Sequence, residues 1–539
     1  MLWTTNRLWC LVTAALLLGS HSTRDASAER NAPTSINHND PNLHLFVDDE
    51  EIESAENLER VINRPRKHPS PVIVADRPWE GDRAQAWGNV ILEPDGLLRI
   101  FYFAMNTERR PEEGLDRGGY AYAESRDGIH WEKPSLGVVE FRGSKDNNLF
   151  YTCAPDGKNL VDVELARRGL GLPAIDQNGE QIGVLNNLDG IGAVVRDDDE
   201  PDPEKRYKLI ANMQDHRMWA WHNRDRYPNV TQEQYHQAQA VFGQYLDTSP
   251  DGIHWNRRPH RVLSAVGDYM MVTRDYRNNR WWLNERAHGR GGRNAALRTS
   301  KDLIQWTDPM VVFDNEADSD YGKKFEWHGG ITPFNYGNVN LGFLEKWPTG
   351  DFGATCELVS NRDGGPWKRV APGESFLDVD PEGSFDRVLI YPTHNPPIRI
   401  GDQLYIFYTG GGVKTNPKKG VPMAIGVATI GLDRFAAMAN WRGNQGLLVT
   451  KPTEVTGSHL QINAEFLEAV PIQVALSSAD GTMLPGYGFE ECQMDIEPTA
   501  IYTPVRWKDK ADLSELRGQP IKLHFKFKGA ALYGYRITD

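Results

Sequence analysis

The stretch "SRDGIHW" (125–131) decides how this chain is read, because the chain nearly repeats it as "SPDGIHW" (249–255), "SKDLIQW" (300–306) and "NRDGGPW" (361–367). Each time an aspartate stands four residues ahead of a tryptophan. Such an aspartate accepts hydrogen bonds from backbone amides two residues on and closes a tight turn. The residues leading into the turn repeat as well. A short apolar segment comes first, then an aromatic one, then one rich in small residues. Unit one is "WGNVIL", "LLRIFYFAM" and "GGYAYAES"; unit two is "GIGAVV", "RYKLIANM" and "FGQYLDTS". Unit three is "DYMMVT", "RWWLNERA" and "NAALRTS", and unit four "GGITPF", "VNLGFLEKW" and "ATCELVS". A fifth, "PPIRI", "QLYIFYTGG" and "PMAIGVATI", ends in "GLDRF" (431–435), with phenylalanine in the place of tryptophan.

Period-two alternation with Gly/Asp/Asn punctuation marks strands joined by turns. Repeated four-stranded units arranged radially make a β-propeller. The expected fold is therefore all-β: a five-bladed β-propeller over residues 76–440, followed by a β-sandwich over 441–539, where strands continue without the Asp-Trp turn. The tryptophans are expected to plug the gaps between blades, which makes the opening motif scaffold. Asp127 and Asp251 lie much further apart than the later aspartates, so residues 135–187 read as an insertion between blades one and two. Residues 29–75 read as an N-terminal extension packing on the main domain.

Residues 1–28 read as a signal peptide: Arg7, the apolar run "LWCLVTAALLLG" (8–19), and the cleavage-type sequence Ala26-Ser27-Ala28. The expected location is secreted or periplasmic, with no membrane span. The net charge of −14 argues against a nucleic-acid partner. Beyond Cys10, the cysteines Cys153, Cys356 and Cys492 match no zinc spacing and allow at most one bridge.

The propeller-plus-sandwich plan, with "SRDGIHWEKPSLGVVEFRGSKDNN" (125–148), "LDTSPDGIHW" (246–255) and the closing "KLHFKFKGAALYGYRI", resembles glycoside hydrolase family 32 and the related families 43 and 68, and is similar above all to secreted family-32-like proteins of environmental bacteria. The chain departs from family 32 at the motifs that carry activity. Blade one begins "AQAWGNVILEPDG" where W-M-N-D-P-N-G belongs; "VVRDDDEP" and "VTRDYRN" only partly echo R-D-P, and "TCELVS" reverses the E-C pair. Sucrose or fructan hydrolysis does not carry over. Calcium at the axis is implied by the resemblance alone; the residues themselves require no cofactor and supply no metal ligand set.

In a propeller the innermost strands line a funnel, so chemistry is expected at their starts. Those starts hold Asp82, Asp189, Asp268, Glu326 and the pair His394-Asn395. Glycosidic cleavage needs one carboxyl to protonate the leaving oxygen and a second as nucleophile or base. Glu326, in "FEWHGG", is the expected general acid, Asp268 its partner, and Asp82 or Asp189 the third acid; each is also the kind of residue that caps a turn. Trp87, Trp327 and His328 are candidate sugar contacts. Arg286 and Arg290, in "NERAHGRGGRN" (284–294), read either as forks for an acidic or sulfated sugar or as a solvated hairpin balancing nearby acids. The expected partner is a carbohydrate. The expected function is a secreted glycoside hydrolase; the alternatives are a non-catalytic glycan-binding propeller and a sialidase-like hydrolase.

Overall fold

The computed structural model describes residues 32–539 except 87, 106–118, 142, 152–171, 176–180, 186–190, 214–220, 222–230, 242, 257–260, 264–269, 290–291, 315–324, 349–352, 363, 381–382, 413–420, 442, 468–469, 497–499 and 511. The chain is a β-propeller followed by a β-sandwich, and the described strands group into five antiparallel blades. Blade one runs outward from an inner strand in two pieces (Arg83–Gln85 and Val90–Leu92) through Leu98–Met105 and Gly119–Ser125 to Leu149–Tyr151. Blade two holds Ile191–Arg196, Tyr207–Met213, Gly243–Ser249 and Arg261–Leu263; blade three holds Met270–Asp275, Arg280–Gly289, Gly292–Ser300 and Met310–Phe313. Blade four holds Phe325–Tyr336, Val339–Pro348, Thr355–Asn361 and Lys368–Arg369.

Blade five closes the ring. Its inner strand is again in two pieces (Ile390–Pro392 and Ile398–Ile400), followed by Gln403–Gly412 and Val421–Gly431. Its outermost strand, Arg66–Lys67, comes from the N-terminal side of blade one and pairs with Thr429 and Ala428. The two ends of the propeller segment are thus joined by hydrogen bonds. The buried Lys67 ammonium ties them further, donating to Asp386 at 2.9 Å and reaching Asp380 at 3.1 Å.

The Asp-Trp turns do what their sequence requires. Asp127 Oδ1 accepts from the amides of Ile129 and His130 at 2.9 and 2.8 Å, and the Trp131 indole donates to Gly128 O at 3.1 Å. The turns at Asp251 and Asp302 repeat these bonds. Each tryptophan then fills the seam toward the preceding blade. Trp131 packs with Ile398, Ile400 and Phe407 of blade five, its ring 5.6 Å from that of Phe407. Trp255 packs against Phe101 and Phe150 of blade one, Trp306 against Val195 and Ile210 of blade two, and Trp367 against Ala295 and Leu297 of blade three. The residue after the aspartate takes positive φ, +74° at Gly128 and +78° at Gly252. Leu303 takes the same conformation at +61°, a strained one for a side-chain-bearing residue, and its full burial offsets that cost.

The fifth unit departs from the repeat. Asp433 of "GLDRF" does not cap a turn with its carboxylate. It is buried, takes φ of +65°, and accepts hydrogen bonds from the Tyr336 and Tyr502 hydroxyls. Burial raises its pKa despite those bonds. Phe435 packs edge-on to Tyr336 at the junction of propeller and sandwich.

The sandwich has two sheets. One contains Thr503–Trp507, His459–Phe466, Ala530–Thr538 and Ala436–Asn440; the other contains Gly446–Thr450, Pro520–Phe527 and Gln473–Ser478. Residues before the propeller complete both. Leu43–Leu45 and Glu59–Ile62 join the first sheet, and Ile52–Glu56 the second. The stretch 135–187 holds blade one's outermost strand and a separate hairpin, Leu172–Ile175 with Gln181–Leu185. Cys356 and Cys492 are free thiols, and Cys153 lies outside the described residues. Among the described residues no helix is long and apolar enough to cross a membrane.

Candidate active site

The inner strands of blades one and five are each broken near mid-length, at residues 86–89 and 393–397, and polar side chains from the breaks stitch the axis together. Asn395 Oδ1 accepts from Val90 N at 2.9 Å, Thr409 Oγ1 accepts from Ala86 N at 2.9 Å, and Asn89 Nδ2 crosses from blade one to Val272 O of blade three at 3.2 Å. Blades three and four are linked likewise, by Thr273 to Pro333 O at 2.8 Å and by Ile331 N to Asn284 Oδ1 at 3.0 Å. This belt leaves the starts of the inner strands at one end of the axis.

At that end two pairs of neighbouring blades are joined by parallel contacts. Met423 of blade five lies opposite Arg83 of blade one, and Arg293 of blade three lies opposite Trp327 of blade four. Asp82, half-buried, precedes the first of these contacts, and its carbonyl accepts from Met423 N at 3.2 Å. Glu326, Trp327 and His328 lie in the inner strand of blade four, with Trp327 opposite Trp347 and His328 opposite Lys346. Asp189, Asp268, Trp87 and Arg290 lie outside the described residues.

Around this end stands a buried polar group that extends the predicted set. His394 is fully buried, with Nε2 3.9 Å from a carboxylate oxygen of Glu345, itself 2% exposed. Burial lowers the His394 pKa, against the pull of Glu345. Tyr391 lies within electrostatic reach of Glu345, Arg83 and Arg286, and burial holds its hydroxyl firmly protonated. Burial also lowers the Arg83 pKa, opposed by Asp82 and Tyr391. Two guanidinium groups, two carboxylates, an imidazole and a phenol therefore share this low-dielectric end of the axis, with the Trp347 ring tilted against Tyr391 at 5.5 Å.

Of the predicted residues, Asp82, Arg286 and His394 join this group, while Asn395 belongs to the axial belt. Arg286 sits inside a long hairpin, Arg280–Gly289 with Gly292–Ser300, and is buried. Glu345, Arg83 and Tyr391 were missed. A signal for Glu345 was present: on strand alternation it shares a face with Val339, Leu341 and Phe343, all buried, so an acid stands in a core-facing row. The Glu of "TCELVS", Glu357, is instead buried between Lys346 and Arg369, away from this group. Among the described residues no three His, Cys, Asp or Glu side chains gather as a metal site.

No family model matches the sequence, and no curated protein matches it. Solved structures of similar form include a thermostable family-43 glycoside hydrolase (11% identity, 65% of this chain and 91% of that chain covered, TM-score 0.38). Another is the catalytic domain of a Coprinopsis cinerea GH62 α-L-arabinofuranosidase (12%, 68% and 98%, TM-score 0.36). A third is the Bombyx mori GH32 β-fructofuranosidase BmSUC1 (11%, 88% and 95%, TM-score 0.34). At such values these likenesses carry no weight on what the chain does, and the architecture rests on its own strand pairing.

Proposed function

We propose that this protein is an exported glycoside hydrolase that cleaves glycosidic bonds at the end of the propeller axis where the inner strands begin. The observation that carries the reading is the gathering of buried Arg286, Glu345, Tyr391 and His394 with half-buried Asp82 and Arg83 around that end. Burying so many ionisable groups costs stability unless they are paired. A scaffold that needed only rigidity would fill such a space with apolar side chains, as the seams between blades do. Perturbed ionisable groups gathered in one place mark a candidate functional site, and here Arg83, Tyr391 and His394 are so perturbed.

In this reading Glu326 protonates the glycosidic oxygen, and Asp268, Asp82 or Asp189 supplies the second carboxyl as nucleophile or base. Tyr391 and His394, buried behind the site, position Glu345 and Arg286 rather than touch the sugar. Arg286 and Arg290 select a uronic or sulfated sugar through their planar forks. Glu326→Gln keeps the side-chain shape but removes the transferable proton. Turnover of the natural glycan should fall about 10²–10⁴-fold, while an aryl glycoside with an activated leaving group loses far less. Wild-type turnover by Glu326→Gln on the natural glycan would refute the assignment. Absence of hydrolysis by the wild type across a polysaccharide panel would leave glycan binding without cleavage as the reading.

A further inference from the structure

The axis ends in a hollow on the other side of the belt formed by Asn89 and Asn395. It encloses about 130 Å³ where the inner strands of blades one, two and three end, and Ser35 and His38 of the N-terminal segment form part of its wall. One water needs roughly 10–15 Å³ of such space, so the hollow accepts about ten water-sized atoms, the size of a single sugar ring.

Its chemistry is that of a polyol site. Asn89 is 5% exposed and lines the hollow; its amide nitrogen is used on Val272 O, and its Oδ1 has no hydrogen-bond partner among the described residues. A buried acceptor so placed calls for a donor from a ligand or water. Arg196 and Arg274 also line the hollow, but each is neutralised, Arg196 by Asp198 at 2.7 Å and Glu93 at 3.3 Å, Arg274 by Asp199 at 2.5 Å. The guanidinium groups are thereby held in place without making the hollow a trap for anions. Tyr276, 52% exposed, stacks on His38 with ring centres 4.1 Å apart and offers an aromatic surface beside the polar wall.

We propose that this hollow is a second carbohydrate site that holds one neutral sugar ring, separate from the cleavage end of the axis. The ring's hydroxyls donate to Asn89 Oδ1 and to Asp198, its oxygens accept from the arginine forks, and its C–H face lies on Tyr276. Nothing in this assignment depends on the hydrolase reading.

The test is calorimetric titration of the full-length protein with D-glucose, D-galactose, D-xylose and L-arabinose in turn, paired with diffraction from crystals soaked in whichever sugar binds. Two variants at exposed positions accompany it: Tyr276→Ala removes the aromatic surface, and Ser35→Trp fills the hollow. One sugar is expected to bind the wild type, to appear in the hollow, and to bind each variant at least about tenfold more weakly, a difference well resolved in Kd, with unchanged melting temperature. The proposal is overturned if no sugar of the panel binds the folded wild type. It is equally overturned if both variants bind as the wild type does, or if the bound sugar lies only at the other end of the axis.

Discussion

If the propeller is closed by its N-terminal strand, removing the Lys67 cation should loosen the whole ring. Lys67 is 12% exposed at its side chain and Asp386 1%. In Lys67→Met the Asp386 carboxylate stays buried, keeping among the described residues the Tyr408 hydroxyl at 3.0 Å and the Ser384 hydroxyl at 2.8 Å as donors. Breaking a buried pair by deleting one partner costs about 3–5 kcal/mol. The two remaining donors place the expected loss near the lower end, roughly 3 kcal/mol, or about a hundredfold in the folding equilibrium. The measurement is the urea midpoint at constant slope, since a changed slope would report a different unfolded surface. Lys205→Met, which breaks an exposed pair with Asp202, is the control and should shift stability by less than about 0.5 kcal/mol. Adding Asp386→Asn to Lys67→Met should recover part of the loss, because a buried amide costs less than an unpaired charge. If Lys67→Met unfolds at the same midpoint as Lys205→Met, the pair does not hold the ring closed.

Trp255→Ala should cost about 3 kcal/mol, the low end for tryptophan deletion because the ring is only partly buried, and should leave activity per folded molecule unchanged; a large loss of turnover at unchanged stability would contradict its role as a seam filler. Glu345→Gln should lower turnover of any cleaved glycan about tenfold or more while the urea midpoint moves little; a collapse in stability with unaltered kcat would make Glu345 purely structural. For Asp127 and Asp251 burial opposes ionisation, but the histidine and amide hydrogen bonds prevail and hold both near a pKa of about 2. A carboxyl depressed in the folded state stabilises above its unfolded pKa and loses that contribution as pH falls through the folded one. Stability should therefore drop between about pH 4 and pH 2, and Asp127→Asn/Asp251→Asn should flatten that part of the melting-temperature profile. His38 is held neutral by burial, its pKa down at about 4; the unfolded chain takes up a proton first as pH falls below the ordinary 6.5, so stability should also decline from pH 6.5 toward pH 4, less steeply in His38→Gln.

The blades were legible in the sequence because their signals are local. Alternation with period two, and an aspartate that must find amides two and three residues on, depend only on neighbours along the chain, and the turns at 127, 251 and 302 are built as their spacing demands. The same locality misled at "GLDRF", where Asp433 is recruited by Tyr336 and Tyr502, respectively 97 and 69 residues away. The starts of the inner strands follow from the repeat, which is how Asp82 and His394 were named as candidates. Glu345 and Tyr391 escaped because they reach the axis through the face of a strand, and a strand's two faces are told apart only by what packs on them.

What the sequence determined alone is the unit: strand, aromatic strand, small-residue strand, Asp-Trp turn, with a sandwich after the last repeat. What only the tertiary structure decided is closure. Arg66–Lys67 completes blade five, and Leu43–Leu45, Ile52–Glu56 and Glu59–Ile62 complete the sandwich. These short N-terminal strands carry no periodic signal strong enough to name their partners, which lie more than 350 residues away. An edge strand of a blade or sheet has unsatisfied backbone donors and acceptors, and any segment of suitable reach can satisfy them. Which segment does so is settled by the packing of the whole chain.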